Sequence, residues 1–128
     1  MSFGSKKIYI ASKEGVEYDD YGNENPYYSE IMPFNFSYMP SSSQVDYQIY
    51  GKEINNIYVS ILPMNYLGKI KSGDAVYLID GETQNIEELV YLDIDDKYCS
   101  HANYRVKDIL PQNVRVKVIF EKTQKARR

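Results

Sequence analysis

The stretch VRVKVIFE, residues 114–121, sets Val114, Val116, Val118 and Phe120 against Arg115, Lys117, Ile119 and Glu121. Alternation with period two is the signature of a strand that buries one face. The preceding NYRVKDIL, 103–110, alternates Tyr104, Val106 and Asp108 with Arg105, Lys107 and Ile109, and PQN at 111–113 supplies a turn. Residues 103–121 therefore read as a hairpin. The same period runs through KKIYIA (6–11), FNFSYM (34–39) and NIYVSIL (56–62), where Ile57, Val59 and Ile61 oppose Tyr58, Ser60 and Leu62. GDAVYLIDGE holds a short β-rich run, Ala75 to Ile79, between turn residues. About six strands at this spacing predict an all-β fold, a small barrel or sandwich with long loops.

Helix is scarce, and at most one short helix is expected. NIEELVYLDI (85–94) reads either as two helical turns capped by Thr83, with Ile86, Leu89 and Val90 on one side, or as a strand running into DIDD. GKEINNIY (51–58) could begin with a helical turn, whereas Lys13–Pro26 and Pro40–Val45 lack a strand pattern and read as loops. With 43% hydrophobic and 26% charged residues, the 128-residue chain is expected to fold as one globular domain, 1–128. A projecting loop near 13–30 and a basic tail over 122–128 complete this organisation.

The longest apolar runs, such as AVYLI at 75–79, are far short of the roughly 20 residues that span a bilayer. The opening MSFGSKKIYIAS has no apolar stretch before a cleavage site, so the chain is expected to be made in a cytoplasm and to use no membrane. Its one cysteine, Cys99, allows no internal disulfide. Fourteen tyrosines and no tryptophan favour half-exposed strands and interfaces, because a tyrosine buries its ring while its hydroxyl stays paired or wet.

Charge is distributed unevenly. Residues 1–102 carry 16 acids and 7 bases, whereas 103–128 carry 8 bases against Asp108 and Glu121. From Asp80 to Asp96 there are seven acids and no base: Asp80, Glu82, Glu87, Glu88, Asp93, Asp95 and Asp96. Such asymmetry suits head-to-tail contact between copies, with these acids facing Arg105, Lys107, Arg115 and Lys117, or an anionic partner for the tail residues Lys122, Lys125, Arg127 and Arg128. A solvated surface with a basic end is the plain alternative.

No reaction is expected. His101 follows Cys99 by two positions, but no third group is identifiable from spacing, and a structural cysteine beside a surface histidine is the simpler reading. Zinc at this pair would need two further ligands, and only carboxylates are on offer. DDYGNEN supplies oxygens around a glycine without the order of a calcium loop, and reads as a turn with Gly22 at positive φ. No cofactor is implied. A barrel with exposed tyrosines could bind oligonucleotides, yet its aromatic loop lies among acids, so contact with nearby DNA is expected to be non-specific.

Four motifs occur in order: DDYGN (19–23), with Asp19, Tyr21, Gly22 and Asn23; VDYQIYG (45–51), ending in Tyr50-Gly51; GDAVYLIDG (73–81); and ANYRVKDI (102–109) followed by VRVKVIFEK. This progression, from about Lys7 to Lys122, resembles the head-closure (head–tail connector, "minor capsid") proteins of tailed bacteriophages, especially siphophages of Gram-positive hosts. Ala75 departs from the basic residue such proteins often carry there, and the segment from Glu82 to His101 is longer, which bears on whether the GD and YRV segments pair. The resemblance implies a virion protein of the neck, a β-barrel assembled as a homo-oligomeric ring of about twelve copies. That ring would lie between portal or adaptor protein above and tail protein below, extend the DNA channel and help retain packaged double-stranded DNA. A tail-completion protein one ring lower is the nearest alternative. In this setting Tyr18, Asp19, Asp20, Tyr21, Gly22, Asn23, Tyr27 and Tyr28 form an assembly or channel-facing loop that orders on assembly, or a lid folded back on its own barrel.

Overall fold

The computed structural model describes residues 6–40, 57–80 and 83–123. Among the described residues, nine strands and one short helix make an all-β architecture. The strands are β1 (Lys6–Ala11), β2 (Lys13–Tyr18), β3 (Glu24–Tyr28), β4 (Met32–Phe36), β5 (Met39–Pro40), β6 (Ile57–Pro63), β7 (Ala75–Tyr77), β8 (Tyr104–Pro111) and β9 (Arg115–Lys122). Helix α1 spans Ile86–Leu92, and a 3-10 turn, Met64–Tyr66, follows β6. Seven strands form one antiparallel sheet in the order β4-β1-β7-β8-β9-β6-β5, and β2 pairs with β3 in a sheet of their own.

The large sheet is curled into a half-barrel. Phe36 on β4 and Phe120 on β9 are four strands apart in the order, which in a flat sheet means a separation of about 19 Å. Their rings instead stack with centroids 6.3 Å apart and planes at 6°. The main core fills the curl, drawing Ile8, Ile10, Val76, Leu78, Tyr104, Val106, Val116 and Val118 around this pair. On the other face of the sheet, Ala11, Ala75 and Tyr77 pack with Ile86 of α1 and with Cys99 and Ala102, while Ile57, Val59 and Ile119 form a third buried cluster.

Each of the six expected segments contains a strand, although that of 34–39 runs instead over Met32–Phe36 and that of 75–79 stops at Tyr77, and β2, β3 and β5 are additional. Val114 precedes β9 and is exposed, so the buried row of that strand is Val116, Val118 and Phe120. In β8 the alternation breaks. The register passes from Val106↔Phe120 to Asp108↔Ile119, leaving Lys107 as a bulge. After it Ile109, not Asp108, pairs with Val118 and packs against the main core. The 85–94 segment is helical, and its cap is Asn85 rather than Thr83. The Asn85 Oδ1 accepts from Glu88 N at 3.3 Å, the geometry of a residue immediately before the first turn. Thr83 serves elsewhere, donating its backbone N–H to Asp80 Oδ1 at 2.7 Å. The VDYQIYG motif, the possible turn at 51–56, loop residues 41–45 and tail residues Lys125, Arg127 and Arg128 lie outside the described residues.

Candidate functional site

Lys13 to Pro26, expected to be a loop, belongs to a hairpin. Strand β2 pairs with β3 through Gly15↔Tyr27, Val16↔Pro26, Glu17↔Asn25 and Tyr18↔Glu24, with an irregularity at Glu14. The pattern was hidden because KEGVEY and ENPYY lack an aliphatic row; one side of the ribbon is filled by an aromatic ring over a glycine. A Cβ at Gly15 would stand 2.7 Å from the Tyr27 hydroxyl oxygen and 2.9 Å from the adjoining ring carbon, so any larger residue must displace the ring from this position.

The tip, Asp19 to Asn23, is folded by one carboxylate. Asp19 Oδ1 accepts from Tyr21 N and Asn23 N, both at 2.9 Å, and Oδ2 accepts from Asn23 Nδ2 at 3.2 Å. These bonds, led by that from Asn23 N, hold the Asp19 carboxyl below its usual range. Gly22 takes φ 82°, the left-handed turn conformation expected for it. The four tyrosines divide: Tyr18 and Tyr21 are 66% and 88% exposed, whereas Tyr27 and Tyr28 are half-buried, Tyr28 against the cluster beneath α1. Tyr27 and Tyr28 thus fold back on the body and Tyr18 and Tyr21 stand out from it, and the tip is closed within the single chain rather than left to order on assembly. Asp20 and Asn23 are exposed at the tip.

The hairpin is held at both ends, near the tip through Glu17 and at the base through Tyr28 and Ser29, by residues that sequence reasoning did not single out. Lys97 Nζ lies 2.7 Å from Glu17 Oε2, and the Tyr98 hydroxyl donates to Glu17 Oε1 at 2.7 Å. The same ammonium stands 5.5 Å from the centre of the Tyr27 ring and 5.3 Å from that of Tyr98. Tyr28 N donates to the Lys97 carbonyl at 2.8 Å, and Ser29 N to that of Ser12 at 2.8 Å. Glu17 is accordingly held below its usual pKa by Lys97 and then Tyr98, and Lys97 above its own by Glu17. The sequence signal was there: Lys97 is the first base after the seven acids of 80–96.

The acidic segment does not present one face. Glu87, Glu88 and Asp95 are exposed, but Asp93 is only 1% exposed and points inward, a correction to its assignment as an inter-subunit charge. It accepts from the Tyr77 hydroxyl at 2.6 Å and from His101 N at 2.8 Å, and its Oδ1 lies 2.6 Å from His101 Nδ1. Asp96 is likewise spent locally, accepting from Tyr98 N, Ser100 N and the Ser100 hydroxyl. Among the bases, Arg105 and Arg115 are exposed near opposite ends of the β8–β9 pair, Lys107 lies 3.4 Å from Glu121, and Lys122 stands 4.0 Å from Asp80.

Cys99 and His101 sit in a loop, with Cys99 at φ 48°, not on a strand. The thiol is buried, and burial above all pushes its pKa up, opposite to what a thiolate nucleophile needs. Asp93, the third group that spacing did not identify, orients the imidazole and the Tyr77 hydroxyl. A cleft of 330 Å³ beside this cluster is lined by Tyr28, Tyr98, Cys99, Tyr104, Arg105 and Thr123, among others. Among the described residues, no group of three or more histidine, cysteine or acidic side chains is placed to hold a metal, and no helix is long and apolar enough to cross a membrane.

No family model, curated protein or solved structure matches the chain.

Proposed function

We propose that this chain is a structural head-closure protein of a tailed-phage neck, acting without catalysis as one subunit of a ring below the portal or adaptor. The ring extends the DNA channel, helps retain packaged DNA and offers the tail its docking surface. The observation that carries this reading is the pairing of the segments on which the resemblance rests. Ala75 and Val76 of the GDAVY motif pair with Arg105 and Tyr104 of the NYRVKD motif, although 26 residues (78–103) separate the two strands. The long intervening segment forms α1 and the loop that holds the hairpin, leaving the central pairing intact.

The third motif with a described position, DDYGN, forms the exposed tip of a hairpin fastened to the body through Glu17 and Tyr28. In the proposed ring this exposed tip is the part of the hairpin that meets a neighbour or the channel. Tyr18 and Tyr21 contribute apolar area at low rotamer cost, and the exposed Asp19, Asp20 and Glu24 around them disfavour stable contact with phosphate. That setting also weighs against an oligonucleotide-binding module, which places bases beside its aromatics.

The test separates folding from joining. Tyr18→Ser with Tyr21→Ser should leave the melting temperature of the purified chain unchanged and block joining of filled heads to tails. Particles that join normally with this variant, or an assembled virion whose neck lacks the chain, would refute the reading.

A further inference from the structure

Two exposed apolar patches with opposite charge surroundings lie at opposite ends of the β8–β9 strand pair. On α1, Glu87 and Tyr91 are four residues apart, as are Glu88 and Leu92, so each acid shares a helix face with an apolar neighbour. Tyr91, Leu92 and Ile94 are 75%, 54% and 67% exposed, and Asp95 beside them is exposed as well. The nearest base in sequence, Lys97, is engaged by Glu17.

The second patch is set by strand register. Ile61 on β6 and Leu110 on β8 both pair with Lys117 on β9, so the three side chains leave the same face of the sheet in one row. Arg115, opposite Pro63, extends that face, and Val114, 71% exposed, lies in the turn immediately before it. Strand β8 starts at Tyr104, near the acidic segment, and ends at Pro111, near this row, about 24 Å away along an extended strand. One copy therefore cannot bring its own two patches together.

We propose that the patches bind each other between neighbouring copies, with Tyr91, Leu92 and Ile94 of one copy on Ile61, Leu110 and Val114 of the next. Glu87, Glu88 and Asp95 then face Arg115 and Lys117. The contact is heterologous, and repeating it generates a ring or a filament according to its rotation. This rests on the ring reading above and specifies which surfaces form the joint. The match is chemical on both counts: each apolar centre gains an apolar cover, and each charged rim meets its opposite.

The test uses the full chain with Cys99→Ser, into which Ile94→Cys or Val114→Cys is introduced singly. Both sites are exposed, so folding is retained. Under mild oxidation, mixing the two single-cysteine chains should give covalent dimers at least about tenfold more abundant than either chain alone. Arg115→Glu should weaken concentration-dependent assembly in sedimentation by about tenfold or more. Assembly with no Ile94–Val114 cross-link, or with Ile94–Ile94 cross-links dominant, overturns this joint and leaves the ring reading standing. A chain that stays monomeric at every concentration, alone and with its neck partners, overturns both.

Discussion

The ammonium of Lys97 and the carboxylate of Glu17, 80 positions apart in the chain, meet at 2.7 Å and fasten the β2–β3 hairpin to the loop after α1. Both side chains are substantially exposed, so the pair acts more on hairpin position than on global stability. Lys97→Met should leave the melting temperature nearly unchanged while amide exchange at Tyr27 and Tyr28 accelerates. Unchanged protection at those amides would show that the backbone bond from Tyr28 holds the hairpin alone.

The same latch predicts a pH window. Glu17 is depressed below its ordinary 4.5, so its contribution is present above that value and is lost as the pH falls through the folded-state pKa. Lys97 is raised above its ordinary 10.5, so its contribution is present below that value and is lost as the pH rises through the folded-state pKa. Hairpin protection measured by hydrogen exchange, corrected for intrinsic rates, should be flat between these limits and fall beyond each. Glu17→Gln should shrink the acid-side fall at Tyr27 and Tyr28 and leave that of the tip amides Tyr21 and Asn23, which follows Asp19.

Gly15 and Tyr27 form a steric lock. Gly15→Ala should displace the Tyr27 ring and cost roughly 1 kcal/mol, the low end for overpacking, because the obstructing atoms belong to one side chain. Combining Gly15→Ala with Tyr27→Ala should cost less than the sum of the single changes. Strict additivity would mean that the two residues do not interact.

Asp93 is the buried hub between Tyr77 and His101. Asp93→Ala leaves the Tyr77 hydroxyl and the His101 N–H without their acceptor, and the unfolding free energy should fall by about 1–3 kcal/mol per stranded group. His101→Ala, a change at a half-exposed ring, should cost clearly less. Equal losses for the two variants would contradict the hub role.

The stacked pair across the curl gives the largest expected effect. Phe120→Ala should destabilise the chain by roughly 3–5 kcal/mol, since the ring is wholly buried and its partner on β4 cannot follow it. Chemical denaturation measures this directly.

Strands β1, β6 and β9, and β8 as far as Val106, were legible because each alternates an apolar row with polar or second-face residues. The hairpin was not, since a tyrosine packed on a glycine leaves no apolar period to read. Nor was the bulge at Lys107: alternation counted from Tyr104 places Asp108 inward, and only the pairing with β9 shows which residue is extra. In the acidic segment the composition was visible, but the inward turn of Asp93 depends on a tyrosine 16 positions earlier, beyond local pattern. Thr83 and Asn85 are both good caps, and the choice between them was made by where the first turn begins.

The tip drawn together by Asp19 bears on kinetics. Because its backbone is already closed around one carboxylate, a partner of the proposed kind would have only side chains such as Tyr18 and Tyr21 left to order there. Docking at this tip should then proceed at rates governed by diffusion and orientation, with mutations at Tyr18 and Tyr21 expressed in how long the complex lasts rather than in how fast it forms.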